Sequence, residues 1–435
     1  MRYFSLRNKN NIVDFKEATL HGQAPDGGLY YPENIPTWKD DFIMNLKTKS
    51  KTEIGFEIMA PYVGNTIPEK ELYRIIAETL DFDFPLQQIS ENIYSLELFH
   101  GPTLAFKDVG ARFLSRCMGF FASKLERKIV VLVATSGDTG GAVADAFHNI
   151  PGTEVIILYP SGKVSPVQEK QLTALGGNIH ALEIEGDFDD CQKLVKMAFL
   201  DEELKENVLL TSSNSINVAR WLPQQIYYAL AITQWEETVD PVVAVPSGNF
   251  GNLCAGLLAK QSGLPVGHFI AACNANDVFT TYTKDGNYHP RPAIPTLSNA
   301  MDVGNPSNFE RILAIFQHDH KKVCEAISSV SVSDVETLST IKAVYENFQH
   351  VLDPHAAVAY RALNNHLMER PEQKGLILGT AHPVKFPTVV KDAIGQTPLV
   401  PEKLEALMQK NKASFLIPPE YASFKSTVTE ILKNL

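Results

Sequence analysis

The sequence predicts an α/β fold of two lobes, each built on a parallel sheet, with a cleft between the lobes. Short β-branched runs alternate with amphipathic segments, which is typical of parallel strands covered by helices on both faces. The alternation is absent before about residue 85 and starts a second series after about residue 235. We therefore predict an N-terminal region at 1–85, a first lobe at 86–235 and a second lobe at 236–435.

The predicted elements follow the order strand, turn, helix. In the first lobe, the strand Lys128–Ala134 leads through the turn Thr135–Gly141 to a helix over 142–148. The remaining elements of this lobe are strands over 154–159, 179–184 and 208–211, and helices over 166–175, 188–199 and 216–230. The second lobe has strands over 241–246, 268–272 and 375–379, with a turn over 247–252 and a helix over 253–261. Prolines and aromatic residues in the N-terminal region favour short helices and irregular packing.

Composition limits the function classes. The chain of 435 residues is 44% hydrophobic and 20% charged, as in soluble globular proteins. Its formal net charge of −11 argues against a nucleic-acid or anionic-membrane partner. No segment resembles a signal peptide or is long and apolar enough to span a bilayer. Five scattered cysteines without a CxxC pair favour reduced thiols over a metal site. We expect a cytoplasmic protein that binds no metal.

Lys107 differs from an ordinary surface lysine because it follows the apolar run Leu104-Ala105-Phe106. Partial burial lowers the pKa of a lysine amine, and a neutral amine can form a Schiff base with a carbonyl group. The same residues also fit a lysine with a buried stem and a charged end in water. Both interpretations are open on these residues alone.

A glycine-rich turn lies between the strand ending at Pro246 and the following helix. Consecutive backbone N–H groups in such a turn converge on an anion, and a phosphate monoester fits this arrangement. A tight turn without a ligand is the alternative. The turn has neither GxGxxG nor Walker A spacing, which argues against a dinucleotide or ATP. Its residues are Ser247, Gly248, Asn249, Phe250, Gly251 and Asn252.

Two further segments carry groups that suit anions. The turn Thr135-Ser136-Gly137-Asp138-Thr139 offers hydroxyl and N–H groups for an amino-acid carboxylate, although Asp138 could instead cap the following helix. Asn214, Ser215 and Arg220 offer an amide, a hydroxyl and a guanidinium for a phosphate. Helix capping and a surface arginine are the alternative for this second group.

In their order and number, these motifs resemble the threonine synthase family, which are pyridoxal-phosphate enzymes of the tryptophan synthase β-like fold (fold type II). The resemblance covers most of the chain. It also includes the segments Gln23–Tyr31, Ser165–Lys170, Leu297–Asp302, Asp353–Tyr360 and Gly379–Phe386.

The resemblance implies that Lys107 carries pyridoxal 5′-phosphate as a Schiff base and acts as a general base. It implies that residues 247–252 bind the coenzyme phosphate and that Thr380 lies beside the pyridine nitrogen. Many relatives of this fold carry asparagine at the position of Asp138, and that asparagine contacts the coenzyme 3′-oxygen. An ionised aspartate cannot donate a hydrogen bond to this oxygen in the same way. His382 and Lys385 could line the pocket, but structural or surface roles are favoured for both, and for Leu297–Asp302 we assign no chemical role.

The implied substrate is O-phospho-L-homoserine, which loses phosphate and gains water to give L-threonine. Its carboxylate would bind Thr135, Ser136, Asp138 and Thr139, and its phosphate Asn214, Ser215 and Arg220. Another fold-type-II lyase, either a serine/threonine dehydratase or an amino-acid phospho-lyase, is the nearest alternative. A non-catalytic phosphometabolite sensor is a third possibility, and we expect a monomer or homodimer.

Overall fold

The N-terminal region is a small antiparallel sheet packed among four helices. The computed structural model describes residues 1–206 and 208–433 of the chain. The sheet has the strand order β2-β1-β3. The hydroxyl of Tyr3 in this sheet donates a hydrogen bond to the Tyr62 carbonyl at 2.8 Å, which connects the sheet to the helix Lys51–Val63. The elements are β1 (Arg2–Ser5), β2 (Ile12–Asp14), α1 (Phe15–His21), β3 (Tyr30–Pro32), α2 (Asp40–Met44), α3 (Lys51–Val63) and α4 (Glu69–Thr79).

The next part of the chain builds most of a parallel sheet and its covering helices. Its strands are buried on both faces, which explains why they are apolar runs rather than alternating patterns. The elements, in chain order, are β4 (Leu86–Gln88), β5 (Ile93–Glu97), α5 (Lys107–Ala122), β6 (Lys128–Ala134), α6 (Asp138–Phe147), β7 (Thr153–Pro160), α7 (Pro166–Thr173), β8 (Ile179–Ile184), α8 (Phe188–Leu200), α9 (Glu202–Lys205), β9 (Val208–Ser212), α10 (Val218–Trp221) and α11 (Gln225–Gln234).

The remaining chain builds most of the second sheet and a C-terminal extension. The elements are β10 (Val242–Pro246), α12 (Gly251–Gln261), β11 (His268–Cys273), α13 (Val278–Asp285), α14 (Phe309–Ile315), α15 (His320–Ala326), β12 (Ile327–Ser331), α16 (Asp334–Phe348), α17 (Pro354–Glu369), β13 (Gly375–Gly379), α18 (Pro387–Ile394), α19 (Glu402–Met408), β14 (Phe415–Ile417) and α20 (Tyr421–Lys433). Short 3₁₀ turns include Leu222–Gln224, Asn299–Met301 and Pro383–Lys385.

The two lobes exchange strands, so the sheets do not follow the predicted ranges. The first-lobe sheet has the order β14-β8-β7-β6-β9 and is parallel throughout. The second has the order β12-β11-β10-β13-β5-β4, in which β4 alone runs antiparallel to its neighbour. Residues 86–97 were predicted in the first lobe but pair in the second-lobe sheet, and β14 does the reverse. The predicted ranges are wrong in these two places because strand pairing joins segments that are distant in sequence.

The C-terminal extension crosses from the second lobe to the first. It leaves α18, which packs with α16, and then places α19 against α7, β14 on β8 and α20 on α8. An apolar cluster of Leu104, Val167, Val384 and Leu404 marks the crossing. Within the part of the chain that the structure describes, no helix has the length and apolar character needed to cross a membrane.

Candidate active site

The candidate site lies where the carboxyl ends of the two sheets meet. Loops after β5, β6 and β9 contact loops after β10 and β13 through hydrogen bonds and an ion pair, and ligands of open α/β sheets bind at such edges. A direct link crosses between them, because Asn249 Nδ2 donates to Ser215 Oγ at 2.6 Å. Two separately predicted segments, 214–220 and 247–252, are therefore neighbours in space.

Lys107 is the first residue of α5, and its side chain is 16% exposed. Its Nζ lies 3.5 Å from Asp138 Oδ2. Burial lowers the pKa of the Lys107 amine, and the positive charges of Lys385 and Arg220 lower it further, against the opposing effect of Asp138. The amine is therefore shielded and easier to deprotonate than a surface lysine, as its apolar flank predicts.

Lys385 lies closer to the reactive amine than the role favoured by the sequence analysis implies. We expected a structural or surface role, but the side chain is fully buried and its Nζ lies 2.7 Å from Asp138 Oδ1. It also donates to the Thr103 carbonyl at 3.0 Å. Burial alone would raise the pKa of Asp138, but Lys385 and Lys107 outweigh this effect and hold the carboxyl ionised. The sequence did contain a signal of burial at Lys385, because this lysine lies between the apolar residues Val384 and Phe386, just as Lys107 follows Phe106.

The loop after β6 is held by its own first side chain. Thr135 Oγ1 accepts from the N–H groups of Gly137 at 3.0 Å and Gly140 at 2.9 Å. Gly137 has φ +136° and is the N-cap of α6, so Asp138 does not cap that helix. Among the described residues, the N–H groups of Ser136, Asp138 and Thr139 have no acceptor. These donors at a helix N-terminus suit a carboxylate.

The loop after β10 presents a similar set of free donors. Ser247 Oγ donates to the Val245 carbonyl at 2.8 Å, and Asn252 Nδ2 donates to the Pro246 carbonyl at 2.9 Å. These bonds fix the loop, while no described residue accepts from the N–H groups of 248–252. Phe250 is left-handed at φ +59°, and α12 begins at the next residue. The loop and the helix N-terminus together form a cradle of donors that suits a phosphate.

A histidine supports this cradle from behind. A Cβ on Gly248 would lie 2.8 Å from Met301 Cα, so the backbone at 300–301 packs directly on the loop. The N–H of Ala300 donates to His355 Nε2 at 3.2 Å, so the ring proton is on Nδ1, which donates to Asp353 Oδ1 at 2.7 Å. The segments Leu297–Asp302 and Asp353–Tyr360, which the sequence analysis left without a role, thus meet behind the loop.

Arg220 is a buried cation close to Lys107. The side chain is 3% exposed, and Nη1 donates to the carbonyl and hydroxyl of Ser213. Its Nε is buried and has no hydrogen-bond partner within the part of the chain that the structure describes. Burial lowers the pKa of Arg220 to about 10, so the group remains charged. A Cβ on Gly110 of α5 would lie 3.2 Å from this Nε, which shows how closely α5 approaches the guanidinium.

Asn214 and Ser215 directly follow Ser213, the partner of Arg220, in a segment that Arg311 holds. Ser215 Oγ accepts from Asn308 Nδ2 at 3.3 Å as well as from Asn249. Asn214 is half-buried, and its N–H donates to Ser212 Oγ at 3.3 Å. The fully buried Arg311 donates to the Ser215 carbonyl at 3.1 Å and to the Ile216 carbonyl at 2.6 Å. The sequence analysis missed Arg311, which lies in no recognisable motif.

Thr380 and His382 follow the end of β13. The Thr380 carbonyl accepts from the Phe106 N–H at 2.9 Å, which places residue 380 against the segment that carries Lys107. His382 Nδ1 accepts from the Val384 N–H at 3.1 Å, and burial lowers the pKa of this ring to about 4. His382 is therefore a neutral structural residue, as expected, whereas Thr380 lies at the site.

Family models agree with this arrangement. Residues 80–378 match the model of pyridoxal-phosphate dependent enzymes. Residues 2–80 match the threonine synthase N terminus, and residues 356–428 match the C-terminal model of threonine synthase.

Curated relatives match over nearly the whole chain. Threonine synthase of Escherichia coli K12 is 42% identical over 427 residues, and that of Serratia marcescens is 41% identical over 427 residues. Each alignment covers 98% of this chain and 98% of the relative.

Solved structures show the same architecture. The threonine synthase of E. coli superposes with a TM-score of 0.91 at 40% identity, covering 99% of this chain and 100% of the other. The Brucella melitensis enzyme, which was solved with pyridoxal phosphate bound, gives 0.92 at 36% identity and covers 99% of each chain. Maize serine racemase, at 15% identity and a TM-score of 0.53, shares the fold.

Fold and site together define a pyridoxal-phosphate-dependent lyase of fold type II that acts on a small molecule. The alignments then place the chain within that class at full length. The chain belongs to the threonine synthase family.

Proposed function

We propose that this enzyme converts O-phospho-L-homoserine and water into L-threonine and phosphate, using Lys107 as the reactive amine. The observation that carries the proposal is Arg220, a buried guanidinium that has no carboxylate partner among the described residues and an Nε without any acceptor. A substrate phosphate would supply the missing charge and acceptors. A dehydratase acting on serine or threonine would bring no such group, so Arg220 favours the phosphorylated substrate.

The chain's residues fit the coenzyme. The free N–H groups of 248–252 would hold its phosphate, and Gly248 could not carry a Cβ without striking the backbone at Met301. Lys107 would bind its aldehyde carbon, and Thr380 would face the pyridine nitrogen. When bound, pyridoxal phosphate withdraws electrons from the substrate, so that protons at Cα and then Cβ become acidic.

Lys107 then moves these protons as a general base. As a free amine beside the substrate, Lys107 would take the proton at Cα, release it, and then take the proton at Cβ; the two protons removed are balanced by one returned at Cγ and one returned at Cα. Burial lowers the pKa of the amine, so its protonated form is a stronger acid than a surface lysine and gives up the first proton more readily. Loss of phosphate from Cγ, protonation at Cγ and addition of water at Cβ complete the conversion.

The remaining site residues hold the two ends of the substrate. The free N–H groups of Ser136, Asp138 and Thr139, with the hydroxyls of Ser136 and Thr139, would bind the α-carboxylate. Thr135 would act by shaping this loop, since its hydroxyl oxygen is occupied by two loop N–H groups. Arg220, Ser215 and Asn214 would hold the phosphate before and after it leaves.

The test has a spectroscopic part and a kinetic part. The purified enzyme should absorb near ~410–430 nm, as expected for a coenzyme bound to a lysine, and borohydride should fix the label on Lys107. Lys107→Ala should lose the label and, with it, at least about a thousandfold in rate. A protein that stays colourless after supply of pyridoxal phosphate would contradict the assignment.

Substrate comparison separates the alternatives. Phosphate release and threonine formation from O-phospho-L-homoserine should exceed any reaction with L-serine, L-threonine or O-phospho-L-serine. Faster turnover of unphosphorylated serine or threonine would instead support a dehydratase. Turnover of phosphoserine would support an amino-acid phospho-lyase.

We further propose that the enzyme works in the cytoplasm as a monomer or homodimer. The five cysteines are free, and four of them are buried, which suits a reducing compartment. Light scattering of the purified full-length chain would measure the oligomeric state, and a tetramer or larger assembly would contradict the proposal.

A further inference from the structure

One buried carboxylate lies between two lysines in this site. Asp138 Oδ1 is 2.7 Å from Lys385 Nζ, whereas Oδ2 is 3.5 Å from Lys107 Nζ. Gln168 Nε2 also donates to Oδ1 at 2.9 Å. Lys385 is fully buried, so its charge cannot be solvated by water and depends on this carboxylate. The stronger contact of Asp138 is therefore with Lys385 rather than with the reactive amine.

We propose that Lys385 is a positioning residue that engages Asp138 and so keeps the Lys107 amine able to lose its proton. This inference rests on the proposed function, because it concerns the readiness of Lys107 to react with the coenzyme and to move substrate protons. It assigns a task to a residue for which the sequence favoured a structural or surface role.

The charges around Lys107 support this assignment. Asp138 faces the amine from α6, Lys385 from the turn 383–385 and Arg220 from α10. Asp108, the next residue along α5, is buried, bonded to Thr103 and affected by the charge of Lys385. Without Lys385, Asp138 would be left with Lys107 as its cationic partner. The pair would then favour the ammonium form of Lys107, which cannot attack an aldehyde.

A purely structural role of Lys385 makes a different prediction. Lys385 donates to the Thr103 carbonyl, so its loss could simply loosen the loop before α5. Lys403 offers a matched control, because it donates to the carbonyls of His100 and Gly101 in the same loop, each at 2.9 Å. No ion pair joins Lys403 to Asp138 in the described chain. Removing Lys403 should therefore loosen the loop without changing the charge balance at Asp138.

The experiment measures how fast the full-length chain, stripped of coenzyme, captures pyridoxal phosphate as a function of pH. The absorbance of the bound coenzyme gives the capture rate at each pH. The inflection of the plot of capture rate against pH reports the proton affinity of Lys107, because only the neutral amine reacts. We expect Lys385→Met to move the inflection upward by about one pH unit, which slows capture roughly tenfold at a pH below the inflection. Lys385→Arg should retain most of the wild-type profile, and Lys403→Met should leave the inflection in place.

A second pair of variants keeps the test decisive if Lys385→Met folds poorly. Asp138→Asn should move the inflection downward, because the carboxylate that favours the ammonium form is gone. The double variant Asp138→Asn/Lys385→Met should lie between the two single variants. An unchanged inflection in Lys385→Met, an equal shift in Lys403→Met, or a double variant with the full upward shift would each overturn the proposal.

The failure of this proposal is distinguishable from failure of the proposed function. If borohydride does not fix the captured coenzyme on Lys107 of the wild-type chain, the reactive amine itself is misassigned. If the coenzyme is fixed on Lys107 but the inflection ignores Lys385, only the role of Lys385 falls.

Discussion

At the residue scale, Arg220 and Arg311 show that two buried guanidinium groups can serve different purposes. Neither forms an ion pair with a carboxylate in the described chain. Arg311 donates hydrogen bonds to other parts of the protein, namely the carbonyls of Tyr30, Ser215 and Ile216 and the side chain of Asn308. Among the described residues, Arg220 bonds only Ser213 and does so through Nη1 alone, whereas Arg311 uses both Nη1 and Nη2. The Nε of each arginine is buried without a partner, so the difference lies in the terminal nitrogens. The first arginine therefore builds the site, and the second remains available to a ligand.

This contrast predicts opposite effects of two like substitutions. Arg220→Met should raise the KM for O-phospho-L-homoserine roughly tenfold to a hundredfold, because a hydrogen bond to a charged group contributes about 1.5–3 kcal/mol. It should leave the melting temperature unchanged or higher, since an unpaired buried charge is removed. Arg311→Met should lower the free energy of unfolding by about 3 kcal/mol or more, because several buried carbonyl groups would lose their hydrogen-bond donor. Steady-state kinetics and thermal unfolding of both variants check this, and a lower melting temperature in Arg220→Met would argue for a structural role.

Asp108 predicts a pH dependence of stability. Burial raises the pKa of Asp108 to about 6, so the folded chain holds this proton more tightly than the unfolded chain does. Its contribution to stability is complete below about pH 4 and is lost as the pH rises to about 6. Asp108→Asn lacks this proton, so its free energy of unfolding relative to wild type should rise by about 3 kcal/mol between pH 4 and pH 7. Urea unfolding at both pH values measures the difference, and a constant difference would show that Asp108 titrates normally.

At the element scale, the loop after β10 depends on segments far along the chain. The Ala300 N–H, the His355 ring and the Asp353 carboxylate form a short chain of hydrogen bonds behind it. Asp353 also caps α17 by accepting from the N–H groups of His355 and Ala356. The start of α17 thus fixes the backbone that packs on Gly248.

Adding a methyl group at this contact should displace the loop. A Cβ at residue 248 would lie 2.8 Å from Met301 Cα and 3.1 Å from the Ala300 oxygen, neither of which can move alone. Gly248→Ala should therefore weaken pyridoxal phosphate binding at least about tenfold. Gly251→Ala in the same loop should weaken it less, because its Cβ would meet side chains rather than backbone, those of Ser215 at 3.3 Å and Asn308 at 3.5 Å. Coenzyme titration followed by absorbance tests the order, and equal losses would contradict it.

Individual elements were easier to predict than their partners. The strands β6, β8 and β13 begin and end at the predicted residues, because buried β-branched runs bounded by turns are a local signal. The helix predicted over 216–230 is instead divided into α10, a 3₁₀ turn at Leu222–Gln224 and α11. Pro223 lacks an N–H and cannot continue the α-helical bonding.

Candidate site residues could be named from the sequence where a chemical group and a local motif coincide, as for Lys107 and the glycine-rich turns, and their roles remain predictions. Lys385 and Arg311 were not predicted, because their importance comes from what the fold places beside them. The pairing of β5 with β13 could not be predicted from local patterns, because about 280 residues of sequence separate the two strands.

At the scale of the whole molecule, the C-terminal extension connects the lobes through the site. Lys403 of α19 bonds the loop at 100–101, and α19 packs on α7, whose Gln168 and Gln171 bond Asp138 and the Thr103 carbonyl. Changes in the extension therefore reach the segment that carries Lys107.

Leu404 tests this connection because it lies in the apolar cluster at the crossing. Leu404→Ala should lower the free energy of unfolding by about 2–4 kcal/mol and speed the loss of coenzyme during dialysis, since a cavity would open beside Leu104. Leu399→Ala, at a side chain that is 89% exposed, should change stability by less than about 0.5 kcal/mol. Thermal unfolding and retained absorbance give both readouts, and normal retention in Leu404→Ala would separate the extension from the site.

The exchange of strands between lobes also governs the order in which the protein can assemble as it is made. On the ribosome, β5 emerges early but cannot take its place beside β13 until residue 379 has been synthesised. The other sheet receives its edge strand β14 only near the end of translation. Neither sheet can close as an independent early product, so the nascent chain must keep apolar edges unpaired until its final tenth is released. The two sheets are thus completed in order, the second-lobe sheet after residue 379 and the first-lobe sheet after residue 417.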